Sequence, residues 1–105
     1  DEELSHDQLN AMIQIYAREK PDVMITHECP EAIPYYIKKD YDPNRWPSRT
    51  RWALEHMRQY HAPKLHIFGH WHDNLDLTYQ GTRFILLNIN QAIEVDYEDL
   101  SVKFL

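Results

Sequence analysis

The sequence predicts an α/β fold, because two stretches repeat one order of elements and the rest of the chain changes to short strands. In each repeated unit a capped helix is followed by a proline, a short apolar strand and a histidine. After Asp73 the runs LDLTYQ, RFILLNIN, AIEVDYED and SVKFL predict antiparallel strands, the first two joined by a turn at Gly81. With 105 residues, the chain is the size of one small domain.

The first unit extends from Ser5 to His27. Ser5 and Gln8 have the spacing of a capping box, and the apolar residues that follow recur at helical spacing, so a helix is predicted to about Lys20. Pro21 ends this helix. The run DVMIT then predicts a strand that closes on His27.

The second unit begins at Ser48, which is suited to cap a helix that Pro63 ends. The run KLHIF predicts a strand that leads to Gly69 and His70. Between the two units lies CPEAIPYYIKKDYDPNRWP, which has four prolines and predicts a long loop with one helical turn. A loop of this length in a compact domain is typically functional.

Charge is distributed unevenly along the chain. The net charge is −6, which argues against a general nucleic-acid coat protein, but residues 35–64 carry seven basic and three acidic residues, a local +4 that leaves −10 for the remainder. Cys29 is the single cysteine, so no intrachain disulfide forms, and no apolar run reaches the roughly 20 residues of a membrane span. We expect no membrane partner. The first residues have neither the basic nor the apolar part of a secretory signal, so the expected compartment is the cytoplasm.

Histidines stand at the ends of both predicted parallel strands. The carboxyl ends of parallel strands share one edge of a sheet, so His27, His70 and His72 are predicted to converge there. In an extended segment residues i and i+2 face the same side, so His70 and His72 are predicted to project together and Trp71 to point away. Imidazole is a common metal ligand, which predicts a metal site. The remaining histidines are predicted to be surface or hydrogen-bonded residues: His6, His56, His61 and His66.

Two motifs resemble a known family. The segment PDVMITHECP, followed by KLHIFGHWHDN, resembles the carboxyl-terminal half of the calcineurin-like metallophosphoesterases, whose last two motifs are a strand-end His and a Gly-His-x-His. The resemblance implies part of a four-layer αββα sandwich with a dinuclear metal centre at the sheet edge. It implies that His27 and His70 bind one metal ion and that His72 binds the other. The two divalent ions would be manganese, iron, zinc or nickel.

The earlier motifs of that family are missing. They contain Gly-Asp and Gly-Asn-His, and the only glycines here are Gly69 and Gly81, neither followed by Asp or Asn. We therefore expect residues 1–105 to be the carboxyl-terminal half of one metallophosphoesterase domain, whose upstream half is a required partner. The alternatives are a non-catalytic metal-binding or interaction fragment of a degenerate phosphoesterase, and a structural α/β domain with incidental histidines.

The expected substrate is a phosphoester. Arg45 and Arg49, in and just after the long loop, are suited to bind a phosphate through forked hydrogen bonds, whereas Arg51 is expected to solvate the outer face of a helix. Glu28 is a candidate for supporting a metal-bound histidine, and Cys29 is expected to be a small buried residue. Whether the substrate is nucleic acid, a phosphoprotein or a small nucleotide is left open by the sequence.

Overall fold

The computed structural model describes residues 4–105. The described chain forms three helices and six strands, with the last five strands following one another. Their order is α1 (His6–Glu19), β1 (Val23–Thr26), α2 (Pro34–Ile37), α3 (Arg49–Met57), β2 (Leu65–Phe68), β3 (Leu75–Tyr79), β4 (Thr82–Leu86), β5 (Ile93–Val95) and β6 (Val102–Phe104). The fold is therefore mixed α/β, as predicted.

Helix α1 begins at the predicted capping box. The Ser5 hydroxyl accepts the N–H of Gln8 at 3.2 Å, and the Gln8 side chain accepts the N–H of Ser5 at 2.9 Å, so two otherwise unpaired helix-end donors are satisfied. At the other end Lys20 adopts a left-handed conformation (φ 48°) and its N–H bonds the carbonyl of Tyr16. The helix thus ends immediately before Pro21, as predicted.

Helix α3 begins at the predicted cap but ends early. Ser48 accepts the N–H of Arg51 at 3.2 Å. The prediction that Pro63 ends this helix is wrong, because the last helical residue is Met57. The segment after it keeps local turn bonds, such as that from the N–H of Tyr60 to the carbonyl of Met57 at 3.0 Å. It is also held by tertiary bonds: the Tyr16 hydroxyl donates to the carbonyl of His61, and His61 Nε2 donates to the carbonyl of Pro21 at 2.7 Å.

The main sheet has four strands in the order β1-β2-β4-β3. Strands β1 and β2 are parallel, as the repeated units predicted, and β3 and β4 form the predicted antiparallel hairpin. The parallel pairing of β4 with β2 was not predicted. The sequence signal for this pairing is the unbroken apolar run around Phe84, Ile85 and Leu86. A strand covered on both faces loses the usual alternation of apolar and polar residues, and these three side chains are at most 1% exposed.

The two faces of this sheet are covered by different elements. Helices α1 and α3 pack together on one face, where Met24 of β1 contacts their shared cluster of Leu9, Ile13, Tyr16, Ala53, Leu54 and Met57. On the opposite face Leu65, Ile67 and Ile85 pack against the antiparallel pair β5–β6 through Ile93, Val95 and Val102. The β1 edge of the sheet has no partner among the described residues.

The β3–β4 hairpin turns at Gln80 and Gly81. Both residues have positive φ (48° and 84°), and Tyr79 pairs with Thr82, so the loop is the two-residue type that matches strand twist. Gly81 therefore forms the predicted turn. Among residues 4–105 no helix combines the length and the apolar composition that a membrane crossing requires.

Candidate metal centre

Strand pairing brings His27 and His70 into contact. Strands β1 and β2 are in register up to Thr26 and Phe68, and the N–H of Gly69 then donates to the carbonyl of His27 at 3.2 Å. The residues that follow the two strand ends are thus held side by side. His27 Nε2 and His70 Nδ1 lie 2.9 Å apart, with their rings nearly perpendicular.

The segment from His70 to His72 is not extended. His70 and His72 have φ values of 76° and 51°, in the left-handed region, so the alternation predicted for an extended chain is wrong here. The positive φ values fall on the histidines and not on Gly69, beside which a Cβ would meet no atom within 4 Å. Positive φ also occurs at the helix end of Lys20 and the hairpin turn of Gln80, so here it marks a tightly turning loop, in a region that histidine enters more readily than most residues.

His72 lies beside His70 but outside the His27–His70 pair. It lines a groove of about 320 Å³ together with His70, and we call this the cationic groove; its lining residues are Lys38, Trp46, Arg51, His70, Trp71 and His72. His72 is exposed, and it makes no hydrogen bond or ion pair with the rest of the described chain. The structure therefore brings two of the three predicted ligands together and leaves the third free to move toward a ligand.

Glu28 stands directly behind the histidine pair. Its Oε2 accepts a 2.7 Å hydrogen bond from Arg51 Nη1 and lies 3.7 Å from Nε2 of His70. Its Oε1 accepts from the indole N–H of Trp71 at 2.7 Å and from the N–H of Cys29 at 3.0 Å. A carboxylate beside the second nitrogen of a ligand histidine is the arrangement that orients such rings in metal sites.

Arg51 is a site residue that sequence reasoning missed. It was expected to solvate the outside of α3, but it is 5% exposed and its guanidinium contacts the rings of both Tyr41 and Trp71, 5.6 Å from each centroid. Burial acts to lower the pKa of Arg51, but attraction to Glu28 and the hydrogen bond between them outweigh it and raise the pKa. The sequence did contain a signal for the burial of Arg51, because this residue lies one helical turn before Leu54, which is itself buried.

Arg45 and Arg49 are not among the residues that line the cationic groove. The Arg45 guanidinium sits 4.9 Å from the ring centroid of Trp46, and Arg49 Nε donates to the carbonyl of Leu4 at 3.3 Å. Trp46 itself stacks on Tyr41, with ring centroids 6.2 Å apart. Tyr41 and Trp46 thus form inner packing of the loop, whereas Tyr35 and Tyr36 are exposed. Contact of Arg45 or Arg49 with a phosphate stays a prediction.

A second groove also borders the histidine pair. It has a volume of about 670 Å³ and a mostly apolar lining, and it reaches His27, Glu28 and His70 at one end; we call it the apolar groove, and its main apolar lining is Leu4, Leu9, Met12, Ile25, Trp46, Leu54 and Met57. His70 and Arg51 line both grooves. His70 therefore borders both grooves, whereas His27 borders the apolar groove.

Cys29 and His66 are buried and serve the fold. Cys29 is 0% exposed, and burial together with the charge of Glu28 raises the pKa of its thiol, which makes it a poor nucleophile. His66 is 2% exposed, and burial and the nearby charge of Arg58 lower its pKa to about 4. The Thr26 hydroxyl donates to the carbonyl of Glu28, so His66 Nε2, 2.8 Å from the same oxygen, is the donor in their hydrogen bond.

The other three histidines that were predicted not to bind metal lie away from the histidine pair. His61 bonds Pro21 as described, and His56 stacks on Trp52 with ring centroids 5.3 Å apart. His6 is exposed at the start of α1.

The donor set fits part of a metal site and not a complete one. For bonds of about 2.0–2.1 Å, two nitrogens 2.9 Å apart subtend an angle of about 90° at a shared ion, a normal value for neighbouring ligands in six-coordination. However, residues 4–105 contain no group of three or more His, Cys, Asp or Glu side chains placed to hold an ion. A dinuclear centre therefore does not fit these residues alone, and the three-histidine ligand set stays a prediction.

Comparison of the chain with protein-family models, with curated proteins and with solved structures finds no match.

Proposed function

We propose that this chain supplies the histidine-bearing edge of a metal-dependent phosphoesterase. The observation that carries the proposal is the 2.9 Å contact of His27 and His70 at the carboxyl ends of neighbouring parallel strands, backed by the carboxylate of Glu28. In open α/β sheets this edge is where ligand sites collect. When bound, divalent ions would supply an activated hydroxide and neutralise charge on the phosphoryl oxygens.

The roles of the chain's own residues follow from their contacts. His27 and His70 would each offer one ring nitrogen, and neutral imidazoles do so without cancelling the positive charge of an ion. Glu28 would orient His70 through its second nitrogen, and Arg51 would hold Glu28 in place. His72, next to the pair in the cationic groove, would join when an ion or substrate arrives.

The acidic ligands must come from elsewhere under this proposal. Two divalent ions about 3.5–4 Å apart repel one another by several kcal/mol even at an effective dielectric near 20, and a bridging carboxylate normally offsets this repulsion. Glu28 is committed to Arg51, Trp71 and the N–H of Cys29. We therefore propose that an upstream segment of the same αββα metallophosphoesterase domain supplies the missing carboxylates.

Metal titration of the 105-residue chain tests the first step. With manganese or zinc, we expect at most one ion per chain, with the binding lost in His27→Ala and in His70→Ala. The matched control is His6→Ala, which removes an exposed histidine at the start of α1. Equal binding by all three variants and the parent chain would overturn the proposed site.

Hydrolysis of a chromogenic phosphodiester tests the second step. We expect no meaningful turnover by residues 1–105 with excess manganese, and turnover by a natural form that carries the upstream segment. In that form His70→Ala and His72→Ala should abolish most activity, and His6→Ala should retain it. Robust His70-dependent turnover by the short chain would contradict the half-site proposal.

The second candidate is a non-catalytic metal-binding or interaction module. The absence of a three-ligand cluster among residues 4–105 favours it. Metal binding that needs His27 and His70, without hydrolysis by the longer natural form, would decide for this alternative.

A further inference from the structure

The cationic groove has the chemistry of an anion site. Its lining has two basic side chains, Lys38 and Arg51, together with two imidazoles and two indoles, and among residues 4–105 no carboxylate lines it. Its volume of about 320 Å³ is at the small end of the roughly 300–1,000 Å³ of ligand pockets, which leaves ample room for a phosphoryl group.

Of the two cations, only Lys38 is available to a ligand. Arg51 Nη1 is bound to Glu28 and its Nη2 donates to the carbonyl of Trp46, so this guanidinium already has strong partners. Among the described residues, the one ion pair of Lys38 is with Asp40, at 3.9 Å, and both side chains are substantially exposed. Such a surface pair contributes little, so an anion in the groove can replace Asp40 at small cost.

Trp46 holds Lys38 toward the groove. The Lys38 ammonium lies 5.3 Å from the indole centroid, a cation–π contact that limits its motion. The same indole also contacts Arg45 and stacks on Tyr41, and Trp71 is packed against Arg51 and His70. Both indoles are therefore occupied as walls of the groove, and neither is free to stack on a nucleobase.

We propose that the cationic groove is a phosphoryl-binding subsite in which Lys38 contacts the anion, next to His70 and His72, and that it recognises the phosphoryl group without reading an attached base. The choice of a phosphoryl group as the bound anion rests on the proposed phosphoesterase function. The subsite itself does not require a metal ion, so it can be examined separately.

The experiment is titration of the 105-residue chain with inorganic phosphate, followed by calorimetry or phosphorus NMR, with a chelator present throughout. We expect Lys38→Ala to weaken binding by about tenfold or more, as for the loss of one charge-assisted hydrogen bond. The matched control is Lys39→Ala, which removes an exposed neighbouring lysine and should change binding less than about twofold. Circular dichroism confirms that both variants stay folded.

Equal losses in the two lysine variants would mean nonspecific attraction and would overturn the proposal, as would the absence of phosphate binding. Adenosine monophosphate and ribose 5-phosphate should bind with similar affinity. Tenfold tighter binding of the adenosine compound would overturn the claim that the base is not read. Since no metal or turnover is involved, failure of the proposed phosphoesterase function leaves these results interpretable.

Discussion

At the scale of single residues, unfavourable backbone conformations are placed on the candidate ligands. Left-handed φ values at His70 and His72 are tolerated although neither is glycine, and Gly69 between strand and loop avoids that region. Histidine is among the side chains enriched at such φ values. Gly69, the glycine of the Gly-His-x-His motif, therefore does not have a backbone conformation that only glycine adopts easily.

The two glycines should consequently respond in opposite ways to alanine. Gly69→Ala should leave the free energy of unfolding within about 1 kcal/mol of the parent chain, because φ is ordinary and the added Cβ has room. Gly81→Ala should lower it by about 1–2 kcal/mol, because the turn needs a φ of 84°. Urea unfolding measures both, and a larger loss at Gly69 than at Gly81 would contradict this account.

His66 should make stability depend on pH. Its pKa is lowered from 6.5 to about 4 by burial and by the charge of Arg58. Between these two pH values the His66 side chain is therefore protonated in the unfolded chain and neutral in the folded chain. The other titratable group lining the same internal space is Tyr16, whose pKa is raised to about 12 and which stays neutral here. Stability should fall by about 3 kcal/mol as pH falls from 6.5 to 4.

Denaturant unfolding across this pH range, with His66→Gln for comparison, measures the effect. The amide can still donate to Thr26 but takes up no proton, so this part of the pH dependence should disappear. His6→Gln, an exposed change, should keep it. If the free energy of unfolding of His66→Gln fell with pH as steeply as that of the parent chain, another group would be responsible.

Glu28 should matter for folding as well as for orienting His70. Glu28→Gln leaves the buried Arg51 with Glu31 as its remaining carboxylate neighbour, 3.4 Å from Nε, and should cost about 3–5 kcal/mol. The double variant Glu28→Gln with Arg51→Met should regain most of this loss. Glu19→Gln is the matched control, because its pair with Arg18 is exposed and should contribute almost nothing. Similar losses for both Glu variants in urea unfolding would contradict the buried-pair reading.

At the scale of elements, β1 is an unprotected sheet edge. It pairs on one side only, and Ile25 in its middle is 71% exposed and lines the apolar groove. Open edges with apolar side chains are prone to pair with other chains.

Ile25→Lys should therefore reduce concentration-dependent self-association of the 105-residue chain without lowering its melting temperature appreciably. Light scattering over a concentration series measures the first effect and thermal unfolding the second. The control is Met12→Lys, an exposed change on α1 that should affect association less. Equal effects would place the association surface elsewhere in the apolar groove.

The elements that sequence could predict are those with local causes. The capping box at Ser5, the Gly81 turn and the parallel strands after Pro21 and Pro63 were all readable. The contact between His27 and His70 followed from the parallel arrangement. The end of α3 and the burial of Arg51 were missed because they depend on partners distant in sequence, Tyr16 with Pro21 and Glu28 respectively.

At the scale of the whole molecule, the main sheet is stable only if both faces are covered. The small β5–β6 sheet covers the face formed by Leu65, Ile67 and Ile85. Truncation after Gln91 would expose these side chains, so we expect loss of cooperative thermal unfolding. Removal of Leu105 alone, which is 73% exposed, should have little effect. Cooperative unfolding of the long truncation would show that β5–β6 is dispensable.

The connectivity of the sheet also sets the order in which its parts can assemble. The β3–β4 hairpin closes through two residues, whereas His27 and His70 are joined by a crossover of 43 positions that must first be brought together. Contacts of long sequence separation form slowly because chain entropy is lost before any pairing compensates. On refolding of the whole chain we therefore expect the hairpin to form before the histidine pair, whose candidate ligands stay apart until β1 docks on β2.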